Sequence, residues 1–289
     1  MEKVYLLSTG HLEKNLWFRN DEDFVAGMNH VAIQAAQNPK VRVLSFVLMS
    51  NHVHFVLIGA YEDVYDFVSC FKHRYSVYLS YRNGSRKPLY RNNVDVRLVS
   101  NEDEGIERAI AYVQMNPVAA NICLHPGAYS WGSGNCFFLS QKPAGQRLGD
   151  LSERQRNHLM HSRKNFVPKD WMVGTEGFIL PQSYVAVKDV EFRFKSAKRM
   201  NYFLNSSSKA RKRLEAGANL PAFRDQIILA AIPDLCRSLY QKENFARLSF
   251  EEQSELARQI RFRFSADANQ LARVCGISYA DVALLLNEP

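Results

Sequence analysis

The chain has 289 residues, a formal net charge of +8 at pH 7, 46% hydrophobic and 12% aromatic residues. That is enough length for one well-buried domain and a smaller second one, and the composition excludes a disordered chain. No apolar run approaches the ~20 residues of a membrane span, and the start MEKVYLLSTGHLEKN has no basic stretch, long apolar core or cleavage site, so a soluble, cytoplasmic protein is expected.

In chain order, Lys3–Thr9 reads as a short strand. Asp21–Gln37 reads as a helix, with an acidic first turn and a stop at Asn38-Pro39. Val41–Gly59 forms a strand pair or one long bent strand. Asp63–Arg82 is helical, because Val64, Phe67, Val68, Phe71, Tyr75, Tyr78 and Leu79 recur at helix spacing. Val94–Val99 alternates as a strand. Asn101–Asn116 is a helix with acidic residues at its dipole-favoured start. A strand, a helix, a hairpin, a helix and a fourth strand predict an α+β protein with a ferredoxin-like, split βαβ antiparallel sheet over residues 1–135. Residues 136–190 read as an irregular connection and residues 191–289 as a basic, mainly helical region. Five scattered cysteines without a CxxC pair predict neither a disulfide framework nor a cysteine zinc site.

The charge is unevenly spread. Residues 1–136 carry 13 basic and 13 acidic residues, so the whole excess lies beyond them. Two runs lack acids altogether. Phe67–Val94 holds Lys72, Arg74, Arg82, Arg86, Lys87 and Arg91. Phe192–Leu214 holds Arg193, Lys195, Lys198, Arg199, Lys209, Arg211, Lys212 and Arg213, interleaved with Phe192, Phe194, Tyr202 and Phe203. Cations with aromatics between them suit a phosphate backbone with stackable bases, and these residues are the candidate DNA contacts. A solvated charged surface is the plainer alternative.

Within MSNHVHFVL (49–57), alternate side chains of a strand share a face, so His52 and His54 point the same way while Val53 points into the core. Two such imidazoles can chelate one divalent metal; a histidine pair at a sheet surface is the ordinary alternative. In AYVQMNP (111–117), Tyr112 and Asn116 stand four apart and share one helix face. Alone, they read more readily as a half-buried core aromatic and a helix-end residue before proline. Tyr75, Tyr78 and Tyr81 are competing tyrosines, of which Tyr75 and Tyr78 are expected in the core.

MSNHVHFVL, FKHRYSVYLSYRNG, IAYVQMNPVAANIC and YSWGSG, in that order, resemble the HUH single-tyrosine transposases, and most the REP-associated tyrosine transposases. The resemblance covers residues 1–135. It implies that His52, His54 and Asn116 bind a catalytic divalent metal, Mg²⁺ or Mn²⁺, and that Tyr112 is the nucleophile. It further implies cleavage and strand transfer of hairpin-bearing single-stranded DNA, with a 5′-phosphotyrosine link and a free 3′-OH, by a bacterial, nucleoid-associated monomer or homodimer. A phosphodiester repels nucleophiles by its own charge, which a metal offsets. The family usually reads NPVRAG where this chain has NPVAAN, and residues 136–289 lie outside the resemblance.

In that extension, Ser265–Asn287 has the spacing of a helix-turn-helix, with Ala272, Gly276, Val282 and Leu285 at the key positions and Leu271 and Ile277 apolar. Duplex DNA is therefore a further expected partner, although the outward Ser278, Tyr279, Ala280 and Ala283 include none of the usual base-reading side chains. An ordinary αα-hairpin is the alternative. A DNA-binding regulator with vestigial catalysis is the second functional expectation.

Overall fold

A computed structural model describes residues 3–9, 16–83, 94–120, 122–141, 143–161, 166–208 and 223–287. Four strands, β1 (Lys3–Ser8), β2 (Arg42–Met49), β3 (His52–Gly59) and β4 (Asp95–Val99), form an antiparallel sheet in the order β2-β3-β1-β4. This is the expected split βαβ arrangement. Helix α1 (Asp21–Gln37) starts where the Asn20 side chain accepts from the Asp23 amide (3.0 Å) and stops at Asn38-Pro39. Helix α2 (Tyr61–Asn83) lays its apolar stripe on the same side of the sheet. The Phe55 ring meets Phe67 and Phe71 edge-on there, at 5.7 and 5.8 Å. Helix α3 (Gly105–Gln114) covers the opposite side.

The sequence expects one helix to run through Asn116. The structure breaks it: Met115 has φ −79° and ψ 0°, and a short helix α4 (Asn116–Ala119) begins at the next residue. Pro117 explains the break, since its ring cannot follow an uninterrupted helix.

The YSWGSG stretch covers the β2 edge. Gly132 bridges Val47, the Leu48 amide donates to the Trp131 carbonyl (2.8 Å), and the Tyr129 hydroxyl donates to the Leu48 carbonyl (2.8 Å). Only glycine fits at 132, because a Cβ there would stand 2.7 Å from the Phe46 carbonyl oxygen. A covered edge cannot recruit stray strands.

The connection after residue 136 packs closely on α1. Met160, Val167, Val173 and Ile179 form a small core with Ala32 and Ile33. The buried Asn29 side chain donates to the Leu159 and Gly177 carbonyls (3.0 and 3.2 Å) and accepts from the Ile179 amide (2.9 Å). Two further helices follow, α6 (Val187–Phe194) and α7 (Ala197–Ser206), after the short α5 (Glu153–Leu159).

The last helices, Asp225–Tyr240, Phe250–Phe264, Ala268–Cys275 and Tyr279–Asn287, share a separate core that includes Ile228, Leu256, Leu271 and Val282. Gly276 turns the chain between the last two at φ +71°, where the glycine avoids the steric cost of a side chain. The exposed positions of the final helix include Tyr279, Ala280, Asp281 and Leu284, which are poor base readers. Among the described residues, no helix is long and apolar enough to cross a membrane.

Candidate functional site

The strand alternation does what the sequence expects. Val53, Phe55 and Leu57 are fully buried in the main core, while His52 and His54 share the other face. Their rings stand 5.0 Å apart between centroids and nearly perpendicular. Helix α3 then brings Tyr112 edge-on to His54, at 5.8 Å between ring centroids. The hairpin and α3 therefore assemble His52, His54 and Tyr112 from positions far apart in the chain.

Asn51, which sequence reasoning did not single out, orients His52. Its side-chain oxygen lies 2.8 Å from His52 Nδ1, so Nδ1–H is the donor in this contact, and in the neutral ring Nε2 is the acceptor nitrogen. A histidine held this way presents the tautomer that a metal ligand needs. Its position beside HVH was the available signal.

Asn116 has a structural duty of its own. Buried at the helix break, its Nδ2 donates to the Tyr112 and Val113 carbonyls (3.0 and 3.1 Å) and caps the end of α3. What Asn116 has left to offer a metal is the amide oxygen. Among the described residues, no group of three or more His, Cys, Asp and Glu side chains could hold a metal ion. The expected ligands His52, His54 and Asn116 would offer two imidazole nitrogens and an amide oxygen, with no carboxylate among them. Such donors suit Mn²⁺ better than Mg²⁺, which prefers carboxylate and water oxygens.

The basic runs divide sharply. Lys72 does not meet solvent: it is 0% exposed, with its ammonium 5.8 Å from the centre of the Trp17 ring. It cannot contact DNA, because α2 turns that position inward. Arg82 is occupied by Asp23 (3.1 Å), Glu22 and the Tyr78 hydroxyl. Arg199 is occupied by Glu104 (2.6 Å) and Glu107 (3.8 Å) and stacks on Phe203. Both arginines join elements and share their charge with carboxylates. Tyr75 is a core residue whose hydroxyl donates to the Trp17 carbonyl (2.7 Å). Arg86, Lys87, Arg91, Lys209, Arg211, Lys212 and Arg213 lie outside the described residues.

Arg74 remains on α2, its guanidinium donating to the Gln37 amide oxygen (3.0 Å) with no ion pair among the described residues. Arg193, Lys195 and Lys198 also remain, with no ion pair among the described residues, beside Phe192 and Tyr202, which are 84% and 67% exposed. The Arg199 contacts with Glu104 and Glu107 fasten this surface to the start of α3. From Glu104, Tyr112 is eight residues on, about 12 Å along the helix axis at 1.5 Å per residue.

The molecule so far described is an α+β protein whose ferredoxin-like sheet carries a two-histidine, one-tyrosine cluster on one face. No family model matches the chain, and no curated protein does. Among solved structures, it is matched to a REP-associated tyrosine transposase bound to a REP hairpin, at TM-score 0.34 and 8% identity, over 46% of this chain and 77% of that one.

Proposed function

We propose that the chain is a metal-dependent single-stranded DNA endonuclease of transposase type, cutting and rejoining hairpin-bearing strands through Tyr112. The observation that carries this reading is the approach of the Tyr112 ring to His54, with His52 beside it. The Tyr112 oxygen attacks a backbone phosphorus as its phenol proton is lost. The bond from phosphorus to the 3′ oxygen breaks, and that oxygen takes up a proton. The products are a 5′-phosphotyrosine and a free 3′-OH, and one phosphodiester replaces another, so the step is reversible. His52, His54 and the Asn116 amide oxygen are the residues to hold the divalent ion. When bound, that ion neutralises a non-bridging phosphate oxygen. Asn51 fixes the His52 ring. Arg193, Lys195 and Lys198 attract the backbone, and Phe192 and Tyr202 offer faces on which bases stack.

The test is a denaturing gel of the protein incubated with labelled hairpin single-stranded DNA and Mn²⁺. A covalent adduct is expected, lost in Tyr112→Phe; an adduct that persists in that variant sinks the assignment. The use of the Asn116 amide in capping α3 favours a second reading, a DNA-binding regulator without catalysis. Tight duplex binding with no adduct on any hairpin supports that reading instead.

A further inference from the structure

An open cleft of about 910 Å³ lies on the flank of α1 and α2, with His161 among its lining residues. Its α2 lining, Cys70, His73, Arg74, Val77 and Tyr81, is turned from the stripe of Phe67 and Phe71 that meets Phe55. The cleft is therefore separated from His52, His54 and Tyr112 by a helical layer and the sheet. The volume is that of a small-ligand pocket.

No carboxylate lines it among the described residues. Arg82 has its charge balanced by Glu22 and Asp23, but Arg74 does not: its guanidinium donates to the Gln37 amide oxygen (3.0 Å) and makes no ion pair among the described residues. Arg74 Nε is buried without a hydrogen-bond partner. His30, 2% exposed and lining the same cleft, has its Nδ1 buried without a partner as well. Buried polar groups are normally satisfied, and exceptions in a concave site point to something that completes them. The walls supply the rest: the rings of Tyr78 and His161 lie 4.8 Å apart, Tyr81 is 89% exposed, and the side-chain amides of Gln34, Gln37 and Asn38 line one side.

An uncompensated guanidinium is a phosphate fork. Aromatic faces accept a planar ring, and amides read the edge of one. We propose that this cleft binds one phosphorylated nucleoside unit, its phosphate at Arg74 and its base against Tyr78 and Tyr81. The site is a second one, independent of the reaction at Tyr112. Burial, Arg74 and His161 together hold His30 neutral, which keeps it available as a hydrogen-bonding partner and not as a competing charge.

Calorimetric titration of the full chain tests it, with adenosine and thymidine 5′-monophosphates, the unphosphorylated nucleosides, inorganic phosphate and a short single strand. A monophosphate is expected to bind more tightly than phosphate or nucleoside alone. Arg74→Gln is expected to weaken it about tenfold or more. Val77→Glu, at the exposed lip, places a carboxylate in the cleft and is expected to do the same, deciding the matter if Arg74→Gln does not fold. Tyr112→Phe leaves binding unchanged, so this site and the proposed catalysis fail separately. Arg74-dependent binding tighter for the strand than for the monophosphate identifies a DNA segment as occupant; the reverse identifies a free nucleotide. Binding that ignores both cleft variants, or inorganic phosphate binding as tightly as the monophosphate, overturns the proposal.

Discussion

The first half of strand β3 has two unlike faces. Toward α1 and α2 it presents Val53, Phe55 and, further on, Leu57, all fully buried; toward α3 it presents His52 and His54, which give way along the same face to the buried Val56 and Ile58. Residues one position apart thus serve unrelated purposes, because the side-chain period of a strand is two. Packing on one face holds the backbone still, and a still backbone is what keeps two imidazoles at a fixed separation. Stability and chemistry should therefore separate by residue parity over residues 52–55, where the imidazoles alternate with core side chains.

Four measurements can break or sharpen that contrast. The largest effect belongs to the apolar face: Phe55→Ala, which empties a space beside Phe46, Phe67 and Phe71, is expected to cost about 3–5 kcal/mol in urea unfolding. Next comes His30, behind the same helical layer. Burial first, then Arg74 and His161, lower its pKa from 6.5 to about 3. The unfolded chain then takes up a proton that the folded chain refuses, so stability is full above pH 6.5 and falls as pH drops toward 3. At pH 5 the loss attributable to His30 is about 2 kcal/mol, and His30→Gln should flatten that acid arm. On the α3 side, Arg199→Ala removes part-exposed ion pairs to Glu104 and Glu107 and is expected to cost about 0.5–1 kcal/mol. The smallest change in stability, about 0.5 kcal/mol or less, is expected for the partly exposed His52→Ala. That same variant should abolish the covalent adduct while retaining DNA affinity. A large loss of stability in His52→Ala would show that the two faces are not separable.

Much of this arrangement was legible in the residues. Helix α1 is bounded as read, because Asn20, the acidic first turn and Asn38-Pro39 act locally. The sheet order follows from the element order and the alternation in β3. The parity of His52 and His54 was equally readable. The misreadings have physical causes. Lys72 occurs in a run of cations, yet its helical position faces Trp17, and an amphipathic lysine stem tolerates that. Arg82 and Arg199 meet their carboxylates across 60 and 95 residues, a pairing that only the tertiary fold brings about. The packing of the connection on α1 depends on Asn29, whose partners lie 130 to 150 residues away. The helix break before Asn116 was signalled by Pro117 but outweighed by the four-residue spacing to Tyr112.

The turn between β2 and β3 is a junction of forces. The Ser50 carbonyl accepts from the Trp17 and Phe18 amides, and Gln226, at the foot of the first helix of the C-terminal bundle, donates to the Phe18 carbonyl (2.7 Å) and the Ser50 hydroxyl (3.3 Å). The neighbouring Asn51 grips the His52 ring. Any tug on that bundle is thereby transmitted, through one side-chain amide, to the residue next to the one that aims the imidazole.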